Sequence, residues 1–264
     1  MAVRGRREFA GGDDPLSRYC QEDYNVVSCI NLAFLEWMRQ KIGKPEGARQ
    51  RSEGLPDFSR RAVLHLYRQP PRAAREEVER YVQAIFDAVS RASAMAFKYE
   101  FTLETPLTIH TKWPYLPLEI GLAWHPILNV PYIPASSLKG AARAAAVSPL
   151  CGIEPEDLFG TTEEEGDLIF TDAYPTRWER LVEPDVITPH YRETAGEISE
   201  AQARPVPLVF PVVPAGTTFT FVVAFRQMVG QECWGETLRW LQQVLTRGLG
   251  AKTQLSYGVF RRQT

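Results

Sequence analysis

The sequence lacks any long hydrophobic run. Its longest apolar segments, residues 207–213 and 219–225, are far shorter than the roughly 20 residues that a membrane-spanning helix requires. The arginines among the first ten residues are not followed by an apolar stretch or a small-residue cleavage site, so the pattern of a secretory signal is missing. We therefore expect no membrane contact and a cytoplasmic location.

Cysteine is scarce, and its spacing excludes two kinds of site. The four cysteines, at positions 20, 29, 151 and 233, form no CxxC pair and have no neighbouring histidine. The spacing of a zinc site or of a disulfide framework is therefore missing. We expect four reduced, structural thiols, no bound metal and no cofactor.

A strong excess of charge is also missing. With a net charge of −2 and a pI near 6.2, the chain is not basic enough to bind nucleic acid over its whole surface, so an RNA site has to be a local patch. One such patch contains Arg247, Lys252, Arg261 and Arg262, with no acid after Glu236. A solvated basic tail is the alternative interpretation.

Apolar periodicity divides the chain near residue 95. Apolar residues recur at helical spacing over 78–89 and around 30–38, which predicts a helical N-terminal extension over residues 1–95. From residue 96 the pattern changes to alternation, with Phe97, Tyr99 and Phe101 separated by polar residues, as in a strand with one buried face.

Residues 96–264 predict an α+β domain. After a proline-rich connection, a helix capped by Ser136 is expected to bring its alanines onto a sheet. Strands are predicted over 168–172, 206–213, 217–225 and 256–262, and a helix from 238 to 248. The order strand, helix, strand, strand, helix, strand is that of a ferredoxin-like (RRM-like) fold. Residues 173–205 are too long for a hairpin and predict an inserted interaction loop.

Two short motifs carry the functional interpretation. In the first, Gly248 and Gly250 precede Lys252 and Thr253, and glycines there allow backbone N–H groups to surround an anion. In the second, a helix start at Ser136 and Ser137 provides unpaired N–H groups and a positive dipole end. An ordinary glycine C-cap and an ordinary serine N-cap are the alternatives.

Together these motifs resemble the RAMP superfamily of CRISPR proteins. Its members combine an IPxSSLKGxxR helix start with a GxGAKTxxxYGxF loop, here residues 133–143 and 248–260. Residues 166–175 and 185–191 are similar to the sixth-subunit family of type III-B Cmr effector complexes. The resemblance covers roughly residues 96–264.

The resemblance implies a non-catalytic subunit of an antiviral complex that holds the 3′ part of the guide RNA. It also implies target RNA, other Cmr subunits, the repeated backbone subunit and a neighbouring RAMP subunit as partners. The residues expected to contact RNA are Ser136, Ser137, Lys139, Arg143, His190, Tyr191, Gly248, Gly250, Ala251, Lys252, Thr253 and Tyr257.

Catalytic relatives leave a second hypothesis, a RAMP endoribonuclease that processes precursor guide RNA. Backbone-type nucleases use an aspartate in the loop after the first strand, but residues 106–135 contain no aspartate and a single carboxylate, Glu119. Of the four histidines, His190 on the inserted loop is the best candidate, and we expect it to contact RNA or a partner. A small-molecule-binding α+β protein would need a pocket that the sequence does not reveal.

Overall fold

The computed structural model describes residues 14–41, 54–146, 148–188, 192–194, 197–199 and 207–261. The helices are α1 (Pro15–Tyr19), α2 (Val26–Lys41), α3 (Leu55–Arg68), α4 (Arg75–Ala92), α5 (Ala135–Ala145), α6 (Pro155–Phe159) and α7 (Gln231–Thr246). The strands are β1 (Met95–Thr102), β2 (Trp124–His125), β3 (Val130–Pro131), β4 (Leu168–Phe170), β5 (Tyr174–Arg177), β6 (Glu183–Ile187), β7 (Arg192–Thr194), β8 (Glu197–Ser199), β9 (Leu208–Val212) and β10 (Thr218–Phe225).

An antiparallel sheet with β10 at its centre organises the α+β fold. β1 pairs with one edge of β10, and β4 and β5 pair with the other edge. All eight residues of β10 are buried, as expected for a strand that is paired on both edges and covered on both faces. The apolar run predicted to be a strand therefore forms the centre of the sheet.

Helices cover both faces of this sheet. The Phe97 ring lies 3.5 Å from the Trp234 ring of α7, centroid to centroid, so one face packs on that helix. On the opposite face the Lys98 ammonium donates a hydrogen bond of 2.8 Å to Gln83 of α4. This alternation confirms the predicted period of β1, and it makes the sheet the middle layer of three.

The face beneath α4 is polar and bears no aromatic side chain in β1 or β10. Its hydroxyl groups pair with one another: Thr102 with Thr218, and Thr176 with Thr220, each at 2.9 Å. The aromatic side chains of both strands point to the other face, where Phe101 packs against Phe219 and Phe221. This face is therefore unsuited to stacking nucleic-acid bases.

The N-terminal helices share the core of the sheet. Their buried side chains and those of the sheet form one contiguous hydrophobic cluster, and α4 lies against β1, β5 and β10. α3 lies against the β6–β9 hairpin, whose first strand lies within the predicted insertion and whose second strand follows it. Within the described ranges no helix is long and apolar enough to cross a membrane.

Two predictions about the backbone and the thiols were wrong. Residues 256–262 do not form a strand in their described part, because only Phe260 forms a bridge, with Leu103. The cysteines are not free thiols, because the fold brings Cys20 to Cys29 and Cys151 to Cys233 as two disulfides, each with Cα atoms 5.2 Å apart. Sequence spacing cannot reveal such proximity, and for the second pair the separation is 82 residues.

Candidate nucleic-acid interface

The Gly-rich loop, residues 248–258, begins as a helix cap. Gly248 follows Arg247, the C-cap residue of α7, with φ at +98°, and its N–H donates to the Leu245 carbonyl at 3.2 Å. A left-handed residue in this place is the common end of an α-helix, and glycine adopts it without the steric penalty of a Cβ. For Gly248 the cap interpretation is therefore correct.

Gly250 is required by close packing. Its φ is +95°, and a Cβ built on it would lie 2.5 Å from the Thr108 carbonyl oxygen. The next residue, Ala251, donates its N–H to that same carbonyl at 2.8 Å, and Gly258 donates to the Pro106 carbonyl. The two glycines thus let the loop lie directly on the segment that follows β1.

The exposed end of the loop offers backbone donors. Lys252 has φ at +61° and precedes a short 3-10 helix, Thr253–Leu255. No described residue accepts a hydrogen bond from the N–H of Lys252, Thr253 or Gln254. Consecutive N–H groups around a left-handed residue are a recurring anion-binding arrangement, so the loop has the donors that a phosphate requires.

The other side of the loop contacts the β6–β9 hairpin. The Lys252 ammonium lies 4.2 Å from the ring centroid of Phe210 on β9, and the Tyr257 hydroxyl donates to Asp185 on β6. Burial, together with that hydrogen bond, raises the pKa of Tyr257 to about 12. Burial lowers the pKa of Lys252, and the nearby Asp185 carboxylate opposes that shift. The loop is therefore fixed on two sides.

The start of α5 differs from its prediction. The N-cap residue is Pro134 and not Ser136, which lies in the first turn and makes no capping hydrogen bond. Instead, the Asp172 carboxylate accepts the N–H of Ala135 at 2.6 Å, and Ser137 donates its N–H to the Pro134 carbonyl. The first turn therefore has fewer free N–H groups than the sequence suggested, and it faces a negative charge.

The segment after β1 links the two motifs. Thr108 accepts the hydrogen bond from Ala251 of the loop, and His110 places its Nε2 3.3 Å from the Ser137 hydroxyl of α5. His110 is exposed and has φ at +50°. No pattern in the sequence indicated this histidine, because its neighbours become visible only in the fold.

The other described histidines make structural hydrogen bonds. The His65 ring hydrogen-bonds to the Cys20 carbonyl, and Nδ1 of His125 accepts from the Leu128 N–H. Burial lowers the pKa of His125, although the Asp172 carboxylate opposes this effect. His190 and Tyr191 lie outside the described residues.

Lys139 and Arg143 lie four residues apart on α5, and the surroundings of Lys139 do not include the Gly-rich loop. Lys139 lines a cleft with Glu165, Phe170 and Arg226, and no residue of that cleft belongs to the Gly-rich loop. Burial and the positive charges of Arg226 and Arg143 lower the pKa of Lys139. Arg143 is exposed, and of the α5 side chains only Leu138 and Ala142 are buried, fewer than the predicted alanine face.

A model of the RAMP superfamily matches residues 100–261, a range that begins in β1 and includes both motifs. The chain belongs to the RAMP superfamily. The expectation from the two motifs is thereby confirmed.

Relatives of this RAMP chain come from CRISPR systems. CRISPR system CMR subunit Cmr6 of Saccharolobus solfataricus is 34% identical over 189 residues, which make up 70% of this chain and 64% of the relative. Cmr6 of Pyrococcus furiosus is 32% identical over 111 residues, 38% of this chain and 32% of the relative. The chain thus spans less than two thirds of either relative.

A solved structure resembles most of this RAMP chain. A chain in the cryo-EM structure of the Type III-B Cmr-beta bound to cognate target RNA is 26% identical, with a TM-score of 0.74. The match covers 94% of each chain, so it includes the N-terminal helices as well as the sheet.

Proposed function

We propose that this RAMP chain is a non-catalytic RNA-binding subunit of a type III-B CRISPR (Cmr) effector complex. Its Gly-rich loop holds the 3′ part of the guide RNA, and target RNA, the repeated backbone subunit and a neighbouring RAMP subunit are its further partners. The likeness to Cmr6 proteins and to a chain of the Type III-B Cmr-beta structure supports this assignment.

The N–H groups of the Gly-rich loop that have no acceptor among the described residues are the observation that carries the proposal. Lys252, Thr253 and Gln254 present three consecutive donors on a loop that the Thr108 and Asp185 contacts hold in place, and the Lys252 side chain adds a positive charge to the same loop. Such donors bind phosphate oxygens whatever the base. The loop therefore suits a guide whose sequence varies.

The architecture directs RNA to the loop and away from the sheet. We infer a ferredoxin-like arrangement, because the chain at Phe260 lies beside β1, which pairs with β10, which in turn pairs with β4 and β5. In an RRM, aromatic residues on such a sheet stack on bases. Here α4 covers the polar face and α7 covers the aromatic one, so loops remain as the RNA site.

The residues of the loop after β1 favour a structural role over RNA cleavage. That loop lacks an aspartate, and Glu119 is its single carboxylate. His65 and His125 are engaged in hydrogen bonds to the backbone. We also propose that the described helices before residue 96 form an extension of the RNA-binding domain, with the boundary at residue 96.

The test is RNA binding by Lys252→Ala across a series of salt concentrations. Losing one phosphate contact on a single strand should weaken binding and flatten the slope of log affinity against log salt by about 0.7. Lys98→Ala is the matched control, because it removes the same charge from a strand beneath α4. Its slope should equal that of the unmodified protein.

Two results would contradict the proposal. One is an unchanged slope for folded Lys252→Ala. The other is metal-independent cleavage of precursor guide RNA at a fixed position by the purified chain, abolished by His190→Ala, which would favour the endoribonuclease hypothesis.

A further inference from the structure

A second group of cations and aromatic rings lies outside the Gly-rich loop. It consists of Tyr67 and Arg68 at the end of α3, Arg75 at the start of α4, and Trp178 and Arg180 between β5 and β6. We call these residues the Arg/aromatic surface. No sequence pattern indicates this surface, because its members come from three separate segments.

Paired contacts hold the surface together. The Arg180 guanidinium carbon lies 4.8 Å from the Tyr67 ring centroid, and the same side chain donates to the Tyr67 carbonyl at 3.1 Å. The Arg75 guanidinium carbon lies 4.9 Å from the Trp178 ring centroid, and Arg75 donates to the Trp178 carbonyl at 2.8 Å. Each arginine is thus oriented over a ring before any ligand arrives.

These arginines keep their charge available. Neighbouring Arg72 and Arg177 form ion pairs with Asp23 and Glu100. By contrast, no carboxylate of the described residues lies within ion-pair distance of Arg68, Arg75 or Arg180. Exposed acids do lie beside them in the chain, namely Glu179 in the same connection and Glu76 and Glu77 directly after Arg75. None of these acids pairs with the three arginines, so their guanidinium groups remain available to an anionic ligand.

We propose that the Arg/aromatic surface is a second contact for single-stranded RNA, an inference that rests on the proposed function. Guanidinium groups address phosphates, and the Tyr67 ring, in a residue that is 39% exposed, offers a face on which a base can stack. An acidic peptide would satisfy the arginines but would leave the rings without a matching partner. The combination therefore favours RNA.

The position of the surface allows one strand to reach both sites. Arg180 lies shortly before β6, and β6 carries Asp185, the residue that accepts from Tyr257 of the Gly-rich loop. At about 3.3 Å per residue, the chain from Arg180 to Asp185 spans at most about 17 Å. A strand held by the loop can therefore continue along the hairpin onto the Arg/aromatic surface.

The experiment compares two lengths of oligouridylate on the full chain. An oligomer of about 6 nucleotides occupies one site, whereas one of about 20 nucleotides exceeds a single site and can reach the second. For the long oligomer, Arg68→Ala/Arg180→Ala should flatten the salt slope by about 1.4, the sum of two phosphate contacts. Tyr67→Ala should weaken its binding about five-fold or more, and Tyr67→Phe, which keeps the ring, should not.

Controls separate this inference from the proposed function. Arg91→Ala/Arg239→Ala removes two exposed arginines elsewhere and should leave binding unchanged. Lys252→Ala should weaken both oligomers. If Lys252→Ala weakens both oligomers but the surface variants bind the long oligomer normally, the second contact does not exist. Normal binding of both oligomers by Lys252→Ala would contradict the proposed function itself. Loss of co-purifying Cmr subunits with unchanged RNA affinity would make the surface a protein interface and overturn the inference.

Discussion

At the residue scale, Gly250 shows how a binding motif and a packing requirement coincide. The sequence suggests that glycine admits a phosphate, but the structure places the Thr108 carbonyl where a Cβ would be. A larger side chain would therefore deform the loop even without RNA. Loss of RNA binding in Gly250→Val alone cannot distinguish these causes, so stability has to be measured as well.

We expect Gly250→Ala to reduce the free energy of unfolding by about 2 to 3 kcal/mol. Roughly 1 to 2 kcal/mol comes from the left-handed backbone, and about 1 kcal/mol comes from the strained Ala251 to Thr108 hydrogen bond. Urea unfolding monitored by circular dichroism measures the change.

Gly216→Ala is the matched control for this substitution. Gly216 also has a positive φ, +85°, but its Cβ would meet no atom within 4 Å. It should lose only the backbone contribution, about 1 to 2 kcal/mol. Equal losses in the two variants would show that contact with Thr108 does not constrain the loop.

The residue scale also shows what the sequence can reveal. Gly248, Gly250 and Lys252 are recognisable because the loop is a continuous motif. Thr108, His110 and Asp185 are not recognisable in the sequence, because they contact the two motifs only in the folded chain. Thr108 and Asp185 meet the Gly-rich loop, and His110 meets Ser137 of α5. Local patterns identify one side of the site, and tertiary structure supplies the other.

At the element scale, apolar periodicity correctly predicted the main helices and buried strands, but local patterns did not correctly predict where elements begin and end. The predicted strand at 256–262 fails because Ser256 and Gly258 have positive φ, +61° and +67°, which turns the backbone before Phe260 pairs. The predicted serine cap fails because Asp172, 37 residues away in the chain, binds the first N–H of α5. Both outcomes depend on partners that no local window contains.

We expect Asp172→Ala to destabilise α5. The carboxylate accepts the Ala135 N–H and lies at the positive end of the helix dipole, so its loss should reduce the free energy of unfolding by about 1 kcal/mol, as for a helix cap. Amide hydrogen exchange should accelerate in the first turn of α5.

Asp172→Asn keeps an acceptor oxygen and removes the charge, so it separates the two effects. It should retain most of the protection at Ala135 and lose only the dipole contribution, about 0.3 to 1 kcal/mol. If Asp172→Ala leaves the exchange of this turn unchanged, the carboxylate does not hold the start of α5.

At the scale of the whole molecule, covalent links join segments that packing already brings together. Cys20 and Cys29 connect α1 to α2 across a separation of 9 residues, whereas Cys151 and Cys233 connect the α5–α6 region to α7 across 82 residues. A longer closed loop restricts the unfolded chain more. The second disulfide should therefore contribute more to stability.

We expect Cys151→Ala/Cys233→Ala to lose about 4.5 kcal/mol of unfolding free energy, and Cys20→Ala/Cys29→Ala about 3 kcal/mol, from chain entropy alone. Chemical unfolding without reductant measures both variants, and adding reductant should remove most of their difference from the unmodified protein. Thiol titration of the unfolded, unreduced chain provides an independent check, with no reactive thiol expected. Four reactive thiols per chain would instead support the expectation of four reduced cysteines. In that case packing alone would hold α7, and the Gly-rich loop that follows it, on the sheet.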